Sequence, residues 1–455
     1  MSYKESRIQW YLTSPDGERV QQMPSIVSYE IMSEDIPVIT INKLEKKQTI
    51  DGFGGTFNEA GWQLLSALDS EARESVLKAF FDPKEGAGYS LCASPIGHND
   101  FSLDYYSYDE KADDLDLREF SIDHDRKHLI PYIQAAKKYG NFKLVCRPDY
   151  PPAWMLGDQR QMDAQYFGTF ASYLSKYISA YSSEGITVDW MSMFNEPKIY
   201  MNIDPESLKK LLRDYVGPLI RREHPEVKLQ LCDSYNRDQV LVDYTPALAD
   251  PVARQYLDGI AYHSYSWDKT SIQSIKTLYE KHPDLKLWQT EVMHLYTKPL
   301  YGYYDGEVWG KLIMDDLNAG ASGWIFWNML LDKNGGPWNN NPFNTGYPQD
   351  AVAVIVQNQN RVRYTAKYYY QTHFSRFVIP GSLRLGYSVN KSNHPFPENA
   401  LYWLQIFPFV LPDGKRGMVC MNTNDYEQTG YVHADKIIFK LILPGHSIAT
   451  YLWED

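Results

Sequence analysis

The chain has 455 residues and a net charge of −12, from 57 acidic and 45 basic side chains. Hydrophobic residues make up 44% and charged residues 22%, which excludes a disordered chain and leaves room for one large domain plus a smaller one. The acidic balance argues against nucleic acid and against an anionic membrane surface as partners, since both select basic patches.

The four cysteines, Cys92, Cys146, Cys232 and Cys420, lie far apart with no Cys-x-x-Cys pair. A disulfide framework and a zinc ribbon are therefore not expected. The 36 tyrosines and 12 tryptophans could stack on sugar faces, although packing between helices and strands accounts for most of them. The N-terminus Met-Ser-Tyr-Lys-Glu-Ser-Arg has no apolar signal core, and no apolar run reaches the roughly 18 residues of a membrane span. A soluble, cytoplasmic protein is expected, with nothing that specifies an oligomeric state.

In chain order, residues 1–48 alternate polar and β-forming residues, as in Ile8-Gln9-Trp10-Tyr11-Leu12. Eight short apolar runs follow: Thr49–Gly55, Gly88–Gly97, Phe142–Pro148, Asp189–Pro197, Val227–Asp233, Leu257–Tyr265, Leu285–Val292 and Gly320–Leu330. Helical punctuation separates them. Asp69-Ser70 caps a helix that stops before Asp82-Pro83, and Asp204-Pro205 opens one that stops near His224-Pro225. Gly140 and Gly185 stand where C-terminal caps belong. Eight strand–helix units in sequence predict an α/β fold, a (β/α)8 TIM barrel over residues 49–377 closed by a helix from Arg361 to Phe377. After residue 377 the period returns to two, in Ala400–Phe407, Gly417–Asn422, Lys436–Leu443 and Ser447–Trp453. Residues 1–48 and 378–455 together predict one β-sandwich side domain built from both termini.

Active sites of such barrels lie at the C-terminal ends of the strands. The polar residues expected there are Asp51, His98, Asn99, Asp100, Arg147, Asp149, Asn195, Glu196, Asp233, His263, Tyr265, Glu291 and Asn328. Glu196, on the fourth strand, is left at the strand end by Pro197, which has no N–H for the ladder. Glu291 ends the seventh strand, across the barrel mouth. Two carboxylates so placed suit glycoside hydrolysis by retention, which wants them about 5–5.5 Å apart. The charge of one then raises the pKa of the other and keeps it protonated. Asn195 offers an amide to a sugar 2-hydroxyl, and Tyr265 a hydroxyl to the ionised carboxylate. Three alternatives stay beside this reading. Either Glu serves as a rim salt bridge, or His98, Asp100, His263 and His294 bind a metal, or the barrel binds carbohydrate without cleaving it. No His-x-His or His-Glu-x-x-His spacing supports the metal.

From Gln48 to the C-terminus the chain resembles glycoside hydrolase family 30, the glucosylceramidase-type retaining β-glycosidases. The likeness rests on Asp51-Gly52-Phe53-Gly54-Gly55, Gly97-His98-Asn99-Asp100-Phe101-Ser102, Phe194-Asn195-Glu196-Pro197, Gln289-Thr290-Glu291, Trp324-Ile325-Phe326-Trp327-Asn328 and Gly335-Gly336-Pro337. The resemblance implies double displacement with no metal or organic cofactor, Glu196 as acid/base and Glu291 as nucleophile. Asp100, Asn195, Tyr265, Trp327 and Asn339 would line the sugar subsite. Beside what the resemblance implies, Arg147, Asp149, Trp154 and His263 are expected as further substrate-binding residues. The implied partner is a β-linked glycoside or oligosaccharide.

Three departures bear on specificity. Relatives carry Arg on the second strand where this chain has Ala93, and Ser-Pro-Trp on the third where it has Arg147-Pro148-Asp149. Ser264 stands where relatives have Trp. The expectation is that Arg147 restores the missing positive charge near the glutamates and Asp149 bonds a sugar hydroxyl. Glucose, xylose, fucose, galactose and a uronic acid all stay open as the sugar, as do exo action and attack inside a 1,6-linked glucan.

Overall fold

The computed structural model describes residues 6–28, 37–265, 269–293, 302–338, 340–341, 344–345, 348–356, 360–390 and 404–454. Strands β1 (Arg7–Thr13), β2 (Gln21–Val27) and β3 (Val38–Thr49) open the chain. Eight parallel strands then close a barrel: β4 (Gly52–Thr56), β5 (Leu91–Pro95), β6 (Lys143–Arg147), β7 (Trp190–Ser192), β8 (Lys228–Ser234), β9 (Gly259–His263), β10 (Lys286–Glu291) and β11 (Gly323–Asn328). Each coincides with one of the eight expected apolar runs, β4 and β8 running one residue past theirs, to Thr56 and Ser234. The runs are legible because strands covered on both faces need no polar alternation. Cys92, Cys146 and Cys232 are buried free thiols inside β5, β6 and β8.

Leu91, Ala93, Val145, Trp190, Trp288 and Ile325 fill the barrel interior, with the two indoles 4.4 Å apart at their centroids. Gly54 explains part of the Gly-Phe-Gly-Gly motif: a Cβ there would lie 2.1 Å from the Leu91 carbonyl oxygen of the next strand. Asp51 corrects an expectation. It precedes β4, at the N-terminal end of the barrel, and accepts hydrogen bonds from Trp288 Nε1 (2.9 Å) and Ser322 Oγ (2.6 Å).

The helix at Ser70–Phe81 begins as the sequence predicts, with Asp69 Oδ1 accepting from the Ala72 N–H at 2.8 Å. Asp69→Ala is expected to lower stability by about 1 kcal/mol, read as a reduced unfolding midpoint. The helix after Asp204 runs over Pro205–Leu211, widens to a π-turn at Leu212–Val216 and resumes over Gly217–Glu223. Pro218 has no N–H to give back along the helix, which accounts for the wider turn. Gly185 takes the expected left-handed conformation, with φ of +73°. Gly140 does not; it is needed because a Cβ would lie 2.2 Å from the Phe81 carbonyl oxygen.

Past the barrel come β12 (Leu330–Asp332), β13 (Asn340–Asn341), β14 (Asn344–Thr345), β15 (Ala353–Val356) and β16 (Arg361–Tyr364). The closing helix is shorter than the expected Arg361–Phe377. Arg361–Tyr364 alternates in exposure and pairs antiparallel with β15, and the helix spans only Ala366–Ser375. Strands β17 (Leu383–Asn390), β18 (Leu404–Val410), β19 (Arg416–Asn422), β20 (Gln428–Ala434), β21 (Ile437–Leu443) and β22 (Ser447–Trp453) complete the chain; β17 and β20 are absent from the sequence reading. The side domain is a nine-stranded sheet in the order β2-β1-β22-β19-β18-β17-β3-β20-β21. Its edge strands β2 and β21 approach each other, so the sheet curls around a core that includes Ile39, Met418, Phe439 and Tyr451. His373 ties it to the barrel, with ring nitrogens 2.9 Å from both Thr13 Oγ1 on β1 and Thr450 Oγ1 on β22. Burial holds that imidazole neutral, pushing its pKa down to about 3. No helix among the described residues is long and apolar enough to cross a membrane.

Candidate active site

Beyond β7, Met193 and Phe194 stay buried and the chain remains pinned to both neighbouring strands. The Asn195 N–H donates to the Pro148 carbonyl (2.8 Å), the Glu196 N–H to the Asp233 carbonyl (2.8 Å), and the Asp233 N–H to the Phe194 carbonyl (3.0 Å). Pro197 then ends the pairing. Glu196 itself has φ of +42°, in the left-handed region. For a residue with a Cβ this costs roughly 1–3 kcal/mol, tolerated where the surroundings fix the chain. The strand end thus fixes one carboxylate over the barrel mouth.

Glu291 closes β10, where the register with β9 shifts between Gln289 and Glu291 and sets Glu291 opposite His263. That irregularity turns Thr290 to donate to Asp233 Oδ1 at 2.5 Å. It also lets Glu291 meet three partners. Arg147 Nη2 donates to Oε2 at 2.7 Å, Tyr265 donates to Oε1 at 2.9 Å, and His263 Nδ1 lies 3.7 Å from Oε1. The same His263 Nδ1 is 2.7 Å from Glu196 Oε1, while its Nε2 faces Asp233 Oδ1 at 3.8 Å. A carboxylate oxygen of each glutamate and a His263 nitrogen all lie within 4.8 Å of one another.

Charge is arranged around this contact. Burial would strip the His263 proton, yet the Glu291 charge and the bonds to Asp233 and Glu196 outweigh it and raise the imidazolium pKa to about 10. Burial opposes the Arg147 charge too, but Asp233 and Glu291 hold the guanidinium firmly protonated. Asp233 Oδ1 lies 3.4 Å from Arg147 Nη1. Although burial pushes the Asp233 carboxyl upward, Arg147 and His263 bring it below its ordinary value. Glu291 goes the other way. Burial lifts its carboxyl, His263 and Arg147 pull it down, Glu196 adds to the rise, and the net direction is up. The distances among Glu196, His263 and Glu291 would suit a metal, but Arg147 already places a fixed positive charge on Glu291, and His263 Nδ1 is engaged with Glu196.

Residues 50–378 match the family model described as the glycosyl hydrolase family 30 TIM-barrel domain. The chain belongs to glycosyl hydrolase family 30. Curated relatives of this family 30 enzyme include the "Putative glucosylceramidase 3" of Caenorhabditis elegans, 28% identical over 473 residues, covering 98% of this chain and 88% of that protein. The "Lysosomal acid glucosylceramidase" of Mus musculus is 26% identical over 456 residues, covering 92% of this chain and 83% of its own. Among solved structures, SrfJ from Salmonella typhimurium superposes with a TM-score of 0.87 at 24% identity, covering 99% of this chain and 100% of that one. The endo-beta1,6-glucanase BT3312 superposes with a TM-score of 0.85 at 21% identity, covering 99% of each.

In this family 30 chain the structure brings together Glu196, Glu291, Arg147, His263 and Tyr265 by direct contact. Asn195 and Asp149 sit on the adjoining strand ends, both buried, and Asp100 accepts from Tyr200 at 3.1 Å. Trp327 is 4% exposed, packed with Phe101 and Met293, with Tyr265 against the same cluster. Trp154 is tied elsewhere: its indole donates to the Asp109 carbonyl at 2.9 Å and meets Tyr166 edge-on, neither of which belongs to the carboxylate cluster. Asn339 lies outside the described residues, as does His294. His98, another of the four candidate metal ligands, bonds the Tyr106 carbonyl at 2.8 Å and stacks on Tyr150.

Asp233, among the polar residues expected at the strand ends, stands 3.4 Å from Arg147 Nη1 and 3.8 Å from His263 Nε2. Tyr200 is the participant that the sequence does not mark; it lies in the loop after Glu196, where nothing local singles it out. At the departures from relatives, Ala93 joins the barrel core, and Ser264 turns its hydroxyl to the buried carboxylate of Asp316 at 2.9 Å.

Proposed function

We propose that this glycoside hydrolase is a retaining β-glycosidase in which Glu291 is the nucleophile and Glu196 the general acid/base. The observation that carries the reading is the spacing: carboxylate oxygens within 4.8 Å of each other. That falls on the retaining side of the two geometries, since inverting enzymes need about 6.5–9.5 Å to admit a water. The roles follow from the partners. Arg147 and Tyr265 both donate to Glu291, which favours its anionic, attacking form. Glu196 meets one such group, His263 at 2.7 Å, against the two donors on Glu291, and so is the less strongly held of the pair.

In the first step Glu291 attacks the anomeric carbon, the glycosidic bond breaks, and Glu196 gives its proton to the leaving oxygen. In the second, Glu196 takes a proton from water, whose oxygen attacks the same carbon and releases Glu291. We infer exo action on the terminal sugar. What supports it is the sequence likeness: the relative named "Putative glucosylceramidase 3" is 28% identical over 98% of this chain, against 24% over 74% for the Neurospora crassa "Endo-1,6-beta-D-glucanase", while the endo-beta1,6-glucanase BT3312 shares the fold over 99% of each chain at 21% identity.

The test has two parts. A proton NMR time course on an aryl β-glycoside should show the β-anomer of the sugar before mutarotation, and a 2-deoxy-2-fluoro glycoside should label Glu291. Immediate appearance of the α-anomer, or binding without turnover across the aryl-glycoside panel, would overturn the reading. On β-1,6-glucan, exo action releases monosaccharide alone, whereas internal cleavage gives a ladder of oligosaccharides.

A further inference from the structure

Asp149 is a side chain that the double displacement does not use. It follows β6 directly, is 1% exposed, and its Oδ2 has no hydrogen-bond partner among the described residues. The neighbouring strand end repeats this: both ends of the Asn195 amide are buried without a partner, and the Asn195 backbone is bonded to Pro148. Buried polar atoms left unpaired cost stability and are retained where a ligand completes them. The two side chains therefore mark these adjoining strand ends at the barrel mouth as the place where sugar hydroxyls would be bonded.

The chemistry of that wall narrows the sugar. The charges of Glu291, Asp100 and Glu196 all act on Asp149. The cations beside them are already ion-paired: Arg147 Nη2 is on Glu291 at 2.7 Å, its Nη1 has no hydrogen-bond partner among the described residues but lies 3.4 Å from Asp233, and His263 is 2.7 Å from Glu196. Lys198, the cation next along from Glu196, is paired with Asp243. A sugar carboxylate entering here would meet the carboxyl groups of Asp149, Asp100, Glu196 and Glu291 against two cations whose charge Glu291, Asp233 and Glu196 already offset.

We propose, on the reading of this site as a retaining β-glycosidase, that Asp149 is a specificity-determining residue which donates a hydrogen bond from its carboxyl O–H to a hydroxyl of a neutral sugar, and that it closes the pocket to uronic acids. Burial, and after it the Glu291 charge, push the Asp149 carboxyl well above the usual carboxylate range against the pull of Arg147, which agrees with a carboxyl that keeps its proton. A neutral carboxyl pairs an O–H donor with a carbonyl acceptor, and an asparagine amide of nearly the same shape pairs an N–H donor group with a carbonyl acceptor. Asparagine should therefore replace it, and alanine should not.

The experiment compares wild type, Asp149→Asn and Asp149→Ala on aryl β-glucoside, β-xyloside, β-fucoside, β-galactoside, β-glucosaminide and β-glucuronide. Wild type is expected to prefer a neutral sugar and to cleave the glucuronide about 10²-fold less well or worse in kcat/KM. Asp149→Asn should stay within about fivefold of wild type on that sugar, and Asp149→Ala should lose about 10²-fold, mainly through KM. An infrared difference spectrum at pH 7, wild type minus Asp149→Asn, should show the carbonyl stretch of a protonated carboxyl. This readout needs neither turnover nor a foldable alanine variant.

A native carboxyl with a raised pKa gives stability that is fully present below its unfolded pKa and lost as pH rises through the folded one. Asp149→Asn should accordingly flatten the part of the fall in Tm that sets in as pH rises above the ordinary carboxylate range. Asparagine failing as badly as alanine, absence of the protonated band, or preference for the glucuronide or the glucosaminide would each overturn the inference. If no aryl β-glycoside is turned over at all, it is the glycosidase reading that fails, and the infrared band still decides the state of Asp149.

Discussion

Glu291→Ala is expected to lower kcat on aryl β-glycosides by about 10⁴-fold or more, and azide to restore part of the loss as a glycosyl azide of inverted configuration. The structure gives a reason to expect that azide will be accepted. Removing the carboxylate leaves Arg147 Nη2 and the Tyr265 hydroxyl, now 2.7 and 2.9 Å from its oxygens, pointing at an anion-sized gap. A small anion seated there lies on the face that Glu291 attacks from, so one displacement replaces two and the configuration inverts. Glu196→Ala provides the control. With an activated leaving group its first step survives, azide intercepts the glycosyl-enzyme, and the product keeps its configuration. Unchanged turnover in Glu291→Ala, or inverted azide adducts from both variants, would remove the assignment of roles.

The barrel was legible because its evidence is local and repeated. Runs such as Leu229–Cys232 and Ile260–Tyr262 are buried on both faces, and Asp69 and Asp204 cap their helices through contacts two or three residues away. What escaped depends on residues far apart in the chain. Arg361–Tyr364 is a strand only because β15 lies beside it, and β17 and β20 are defined by pairing with β3. In the site, the two glutamates and His263 can be placed at strand ends from the sequence, but not the contact of that one imidazole with both carboxylates. His263 reaches both because the β9–β10 register shifts just before Glu291, a feature of pairing that neither strand's sequence announces. The paired glutamates were expected to control each other's protonation by mutual repulsion. Instead burial is the largest influence on Glu291, with His263 and Arg147 opposing it and Glu196 a smaller contributor. Trp154 shows the converse limit: an aromatic residue near a strand end reads as a sugar platform until its indole is found holding a loop carbonyl.

Arg147→Ala should have the second largest effect, a fall of about 10²-fold or more in kcat/KM near the optimum and a shift of the acid limb to higher pH. The guanidinium is 2% exposed and stands between two carboxylates, so its removal leaves Glu291 and Asp233 buried with less compensation. Breaking a buried pair from one side typically costs about 3–5 kcal/mol, because the remaining charge stays desolvated. The sign for Glu291 follows from its causes. Burial already lifts its carboxyl, and Arg147 is one of the charges that restrain the rise. Without Arg147 the carboxyl climbs further, a smaller fraction is ionised at a given acid pH, and the rising limb of the profile moves alkaline. Asp233 responds in stability. Its native pKa is below the unfolded value, so its contribution is present above the unfolded pKa and lost as pH falls through the native one. The variant should lose that contribution, and with it part of the acid-side fall in Tm that wild type shows. Arg147→Lys separates charge from shape: an ammonium keeps one positive charge but cannot span both carboxylates, so it should recover the position of the acid limb better than it recovers kcat/KM. If Arg147→Ala left both the pH–rate profile and kcat/KM unchanged, the guanidinium that appears on the third strand would not stand in for the one lost at Ala93.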